Sequence, residues 1–384
     1  MTTITLPTAG GTRERYDMRR RASFPRPAAA PSVRRVYAAA HVTVDPLRTT
    51  EPASPVLDWD ATLRFRHHLW GLGFKVAEAM DTAQRGMGIG WPEARELIER
   101  SLAEAATVAG ADLACGVGTD QLADGPAPLD AIIAAYEEQA EVVERHGGRM
   151  ILMASRALAA TARGPADYVR VYDRLIAQAR QPVILHWLGD MFDPALAGYW
   201  GAGDLDRAAD HVLDLLHRHA AKIEGIKISL LDVGREIAIR RRLPEGVALF
   251  TGDDFNFAEL IAGDDAGYSD ALLGIFDPIA PAAAAAFQHL EEGDLDGYHA
   301  VLEPTVPLSR CIFEAPTRYY KAGVVLLAWL NGHQSHFTMP GGLEAARGIV
   351  HYARVFRLAD AAGVLDDPDL AHARMTALLT THGV

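Results

Sequence analysis

Lys227 is the residue in this sequence best suited to covalent chemistry. It lies in Lys222-Ile-Glu-Gly-Ile-Lys-Ile-Ser229. That stretch reads as a short buried strand, Ile223 to Ile228, with the lysine near its C-terminal end. An amine in that position is desolvated, and desolvation favours the neutral form. A neutral amine attacks carbonyl carbons and forms Schiff bases. Alone, the octapeptide fits a plainer role, a lysine that ends a strand and points to water. Which role holds depends on what stands at the ends of the other strands.

Polar groups recur at comparable places. Strand-like runs end in Glu78, Asp81, Thr82 and Gln84; in Thr119, Asp120 and Gln121; in Ser155 and Arg156; in His186 and Trp187; in Thr251, Asp253 and Asp254; and in Asp277. His186 suits general acid and base work, because an unperturbed imidazole titrates near 6.5. Asp81, Thr82, Thr119, Asp253 and Asp277 suit positioning of hydroxyls, and Arg156 suits an anionic end. Each has an ordinary alternative. Asp81 could cap the next segment, and Arg156 could pair with a surface carboxylate. One of Asp253 and Asp254, better Asp254, would be the N-cap of a helix starting at Phe255. His67 and His68 fall within a helix and read as a solvated face.

The elements that would position these groups alternate. Strand candidates are Val36–Val42, Lys75–Ala79, Asp112–Gly116, Met150–Ala154, Val183–His186, Ile223–Ile228, Val247–Thr251 and Ala271–Phe276. Between most of them lie stretches with apolar residues three and four apart: Trp59–Gly71, Pro92–Val108, Leu129–His146, Asp167–Ala179, Leu205–Ala221, Val233–Arg242 and Phe255–Ala262. Such alternation predicts a parallel sheet. Eight strands with helices over roughly 250 residues predict an α/β fold, the (β/α)8 TIM barrel, whose working groups sit at the C-terminal ends of the strands. A doubly wound sheet would carry a glycine-rich loop after its first strand, and Thr43-Val-Asp-Pro46 is not one. The division expected is an N-terminal arm over 1–34, a barrel over 35–281 and a C-terminal helical region over 282–384 packed on it. In the arm, Thr3–Leu6 and Glu14–Asp17 flank Gly10-Gly11 as a small hairpin.

Composition narrows the partners. The 384 residues are 49% apolar and carry a net charge of −13, which argues against nucleic acid or an anionic membrane as partner. Two cysteines, Cys115 and Cys311, suit a reducing cytoplasm and offer no disulfide framework. No apolar run long enough to span a membrane and no basic-then-apolar leader pattern is present, so a cytoplasmic location is expected.

From about Val36 to about Asn331 the sequence resembles the dihydrodipicolinate synthase and N-acetylneuraminate lyase family of class I, Schiff-base-forming barrels. The resemblance rests on Gly225-Ile-Lys-Ile-Ser229 followed by Leu249-Phe-Thr-Gly-Asp-Asp254, then Gly274-Ile-Phe-Asp-Pro-Ile-Ala-Pro281. Val56-Leu-Asp-Trp-Asp60, Gln181-Pro-Val-Ile-Leu185 and Glu314-Ala-Pro with Tyr320-Lys-Ala322 agree in order and spacing. It implies the barrel, Lys227 as the Schiff-base lysine, and a homo-oligomer. The departures mark a divergent member. His186 stands where the family has its proton-relaying tyrosine. Asp81-Thr-Ala-Gln84 replaces the carboxylate-binding threonine pair, Ser155-Arg156 a tyrosine pair, and Asp190-Met191 an arginine neighbourhood. These departures put pyruvate as the donor in doubt.

The leading expectation is therefore a lyase, aldolase or dehydratase acting on a small sugar-derived keto compound, with Lys227 as nucleophile, His186 as acid and base, and no cofactor. A keto acid or keto sugar would be its partner molecule. A second reading keeps the barrel but makes Glu78, Asp81, His186 and Asp253 ligands of a divalent metal in a sugar isomerase or aldolase. A third is a binding protein without catalysis.

Overall fold

A computed structural model describes residues 2–19, 24–27 and 29–384; Arg20, Arg21 and Ala28 of the expected arm lie outside them. Ten strands occur among the described residues. β1 (Thr3–Pro7) and β2 (Arg13–Asp17) pair antiparallel as the expected hairpin. The other eight are β3 (Val36–Ala39), β4 (Lys75–Glu78), β5 (Leu113–Val117), β6 (Arg149–Leu152), β7 (Val183–Leu188), β8 (Ile223–Ser229), β9 (Ala248–Thr251) and β10 (Asp270–Leu273). They close into a parallel barrel in which β10 returns to β3. Nearly every residue of these eight strands is buried, as expected of strands covered on both faces.

The helices alternate with the strands as the periodicity predicts, and Ala280–Glu291 follows β10 as the eighth repeat's helix. Helix Trp59–Gly71 begins where the Asp58 side chain accepts from the amide of Ala61 at 2.9 Å. Beyond the barrel lie Leu295–Leu302, Val306–Ile312, Tyr320–Leu330, Ile349–Ala361 and Pro368–Thr381. Gly341 and Gly342 adopt φ of +72° and +67°, and the next α-helix begins only at Ile349. β3 ends at Ala39 and β10 at Leu273, both earlier than the apolar runs suggest. After β10 the chain turns through Gly274–Asp277, so Ile275 and Phe276 are buried without being strand residues.

The N-terminal hairpin is fastened to the chain's own C-terminal helices. Ile4 and Leu6 are buried, the Tyr16 hydroxyl donates to Asp360 at 2.7 Å, and His372 bonds the carbonyl of Thr3. Among the described residues no helix is long and apolar enough to cross a membrane.

One buried acid behind the barrel wall makes folding depend on pH. Glu236, in helix Val233–Arg240, accepts from Thr251 at 3.0 Å and Ser269 at 2.8 Å. Burial pushes its carboxyl from 4.5 up to about 8. The folded chain therefore holds a proton that the unfolded chain gives up between those values, so this group's stabilisation is present below 4.5 and lost as pH rises through 8. Glu236→Gln should remove that dependence. Urea midpoints of wild type and variant should diverge from pH 5 to pH 8.5, with the variant ahead at high pH. Parallel curves would contradict the assignment.

Candidate active site

β7 and β8 place two chemical groups side by side. Their register pairs His186 with Lys227 and Leu188 with Ser229. Lys227 is 7% exposed, and among the described residues its Nζ makes no hydrogen bond or ion pair. Burial pushes its ammonium below the usual 10.5, while the charges of Asp81 and Asp254 oppose this. Space for the chain comes from glycine. A Cβ on Gly252 would fall 2.7 Å from the Lys227 Cε and onto the Ser229 hydroxyl.

His186 is buried at 1% exposure. Its Nε2 lies 3.3 Å from the Ser229 hydroxyl, and its Nδ1 has no partner. Burial, then the neighbouring Lys227, hold it well below 6.5. The expectation of an unperturbed imidazole is corrected accordingly. At neutral pH this ring is uncharged, ready to accept a proton, with none to give as imidazolium.

The paired aspartates after β9 take roles opposite to those expected. Asp253 makes the turn: its Oδ1 accepts from the amides of Phe255 at 2.9 Å and Asn256 at 3.0 Å, and its Oδ2 from the Asn256 side chain at 2.9 Å. Asp254 instead reaches across to the β10 exit and accepts from the Ile275 amide at 2.9 Å. Burial raises its carboxyl to about 7, against the pull of Lys227. Burial thus drives both members of this acid–amine pair towards neutrality.

The exit of β4 carries Asp81 and Thr82. Ala79 there adopts φ of +52°, a left-handed conformation uncommon for a residue with a Cβ. The Thr82 hydroxyl bonds the Tyr320 hydroxyl at 2.8 Å, and the Tyr320 ring stacks on Phe313 with centroids 4.3 Å apart. Lys321 follows, buried, its ammonium pushed by burial from 10.5 to about 8. Its Nζ donates to the Arg318 carbonyl at 3.2 Å.

A cavity of about 300 Å³ opens at this rim, lined among others by Asp81, Arg85, Thr119, Arg156, His186 and Asp193. Four expected site residues, Asp81, Thr119, Arg156 and His186, thus line one cavity, while Lys227, Thr82, Asp253 and Asp277 are not among its lining residues. Thr119 is tied to Ser155 at 2.7 Å, and Arg156 to Asp193 at 2.5 Å. Asp277 stands apart. Its Oδ2 accepts both the backbone amide and the Nδ1 of His41, each at 2.7 Å, so it orients a buried histidine. His68, expected to face water, packs its ring against Phe65 and His333, and its Nε2 is buried without a partner.

The four ligands of the metal reading do not converge. Glu78 is bound through both oxygens to Arg66, at 2.7 and 2.9 Å, and accepts from Ser101 at 2.7 Å. Burial alone would raise its carboxyl, but the Arg66 charge and these bonds hold it lower than usual. Among the described residues only Cys311, Glu314 and His351 bring three candidate donors together. Glu314 there is engaged by His351 at 2.9 Å and Arg354 at 3.0 Å.

Asp254, Tyr320, Lys321, Arg85 and Arg66 were not expected at the site as working or supporting groups. Arg66 had a signal: it falls on the apolar face of its helix, beside Phe65 and Leu69. A charge in that position needs a buried partner. Arg85 pairs with Asp120 at 2.6 Å, a contact spanning two different strand exits.

A family described as "Protein of unknown function (DUF993)" matches residues 4–384. No curated protein matches the sequence. Solved structures do. Dihydrodipicolinate synthase from Aquifex aeolicus is 12% identical, with 91% of this chain and 98% of that one aligned at a TM-score of 0.61. The enzyme from Thermotoga maritima is 13% identical, with 86% and 99% aligned at 0.63. YagE, a prophage protein of the dihydrodipicolinic acid synthase family from E. coli K12 solved with pyruvate, is 12% identical, with 91% and 98% aligned at 0.64. At these identities the likeness is one of fold, and it is the fold that Gly225-Ile-Lys and Thr251-Gly-Asp-Asp imply.

Proposed function

We propose that this chain, which belongs to the DUF993 family and has the dihydrodipicolinate synthase fold, is a class I lyase that forms a Schiff base through Lys227 with a small keto compound. One observation carries the reading. A buried amine without a protein partner stands in register with a neutral imidazole, at the C-terminal ends of adjacent barrel strands.

The steps follow from the groups present. Neutral Lys227 Nζ attacks the carbonyl carbon and an N–C bond forms. The carbonyl oxygen takes up protons and leaves as water, giving an iminium. Asp254, whose carboxyl is held near 7, is suited to supply one of those protons. The iminium then draws in the electrons of a neighbouring C–C bond, leaving an enamine. In that cleavage the hydroxyl on the departing carbon loses its proton to a base and becomes the new carbonyl. Neutral His186, which lines the cavity, is suited to accept it. No step calls for a cofactor. A cytoplasmic homo-oligomer completes the reading.

Borohydride reduction in the presence of a panel of keto acids and keto sugars tests it. At least one compound should leave a mass adduct on the peptide containing Lys227, and Lys227→Met should leave none. Absence of any adduct across the panel overturns the assignment.

A further inference from the structure

Charge is unevenly committed around the cavity. Arg85 is spent on Asp120 at 2.6 Å, and Arg156, half exposed, gives only its Nε to Asp193 at 2.5 Å. Arg66, deeper in the wall, is spent on Glu78 at 2.7 Å. Asp81 is the opposite case. It lines the cavity, yet among the described residues its carboxylate accepts no hydrogen bond and makes no ion pair. Its charge nonetheless reaches Lys227, Tyr320 and Lys321. Neither lysine is among the cavity's lining residues: Lys321 already donates to the Arg318 carbonyl, whereas Lys227 adjoins the cavity through His186, its register partner on the neighbouring strand. Thr82, the hydroxyl beside Asp81, is bonded to Tyr320. Near the amine, then, Asp81 is an open anion with acceptor capacity to fill.

We propose that the compound taken by Lys227 is a neutral hydroxyketone, whose hydroxyl-bearing carbon next to the carbonyl donates to Asp81, and that Asp81 excludes a carboxylate from that place. This rests on the Schiff-base reading and narrows it. A hydroxyl satisfies the carboxylate with a charge-assisted bond. A carboxylate would set like charges together, and their repulsion counts against binding. Rejection is thus built in as repulsion as well as lost attraction.

Hydroxyacetone and pyruvate form the matched test, because they differ only in CH2OH against COO⁻ beside the carbonyl. Borohydride trapping rates on the full chain are measured for both and divided by the same rates on Nα-acetyllysine, which removes intrinsic reactivity. Hydroxyacetone should lead by at least about tenfold. Asp81→Asn should collapse that ratio, while Asp81→Glu, which keeps the charge, should hold it. Ligand-observed NMR on Lys227→Met reads the preference without any imine. Hydroxyacetone contact without an adduct in wild type would sink the Schiff base and keep the charge rule. Pyruvate trapped as fast as hydroxyacetone, or bound as well by Lys227→Met, overturns the proposal. Silence in both assays overturns it together with the Schiff base.

Discussion

Glu78→Ala should destabilise the chain by about 3–5 kcal/mol, the cost of leaving a buried charge without its partner. Arg66 and Glu78 are both 0% exposed at their side chains. Arg66 also bonds the backbone carbonyls of His41 and Thr62, so it cannot swing out to water without undoing the exit of β3. Glu78 in turn accepts from the amide of Ala79, the residue at φ of +52°. Loss of the carboxylate therefore loosens the turn that presents Asp81 and Thr82. Urea unfolding should show a lower midpoint with an unchanged slope. The double change Arg66→Met with Glu78→Leu should recover most of the loss, because apolar replacement of a buried pair is often neutral or better. A single variant within about 0.5 kcal/mol of wild type, the range of ordinary surface changes, would refute the account. Acid should erode the same contribution. The Glu78 carboxyl is held below its ordinary 4.5, so the stabilisation is present above that value and is lost as pH falls through the folded one.

The pair also shows where a sequence is readable and where it is not. Parallel barrel strands are buried on both faces, so they stand out as apolar runs, and all eight were visible. Lys227 was visible because its strand and the Thr251-Gly-Asp-Asp254 turn are local patterns in fixed order. What periodicity cannot supply is which side chain meets which across the barrel. Asp253 and Asp254 are adjacent and chemically identical. The difference between making a turn and facing an amine lies in the Ile275 amide, 21 residues away. Tyr320 reaches Thr82 from a helix 238 residues on. Asp277 stands at a strand exit as Asp81 does, and only the contact with His41, distant in sequence, separates the two. His186 looked like an ordinary titrating histidine because burial and a neighbouring amine, unlike residue type, do not show in a sequence.

Gly252→Ala should cut the borohydride trapping rate by about 10²-fold, the scale of loss expected when a reacting group is displaced by roughly 1 Å. Gly252 precedes the two aspartates, and its backbone φ needs no glycine, so the residue is required for space. An added methyl would lie 2.7 Å from the Lys227 Cε and 2.9 Å from the Ile228 carbonyl oxygen, and against the Ser229 hydroxyl. The carbonyl is backbone within β8 and cannot turn aside. The hydroxyl is the partner of His186, and the methylene carries the nucleophile. Any relief of the contact therefore moves the amine, the imidazole's partner or the strand beneath both. Overpacking should also cost about 1–3 kcal/mol in stability, small enough for the variant to fold. Gly234→Ala is the matched control. It lies in helix Val233–Arg240, its new methyl would come no nearer than 3.7 Å to Asp232, and alanine suits a helix better than glycine. That variant should trap at the wild-type rate. Equal rates for both variants would mean that the amine tolerates displacement, and that Lys227 reacts as an accessible lysine and not as one held in place by Gly252.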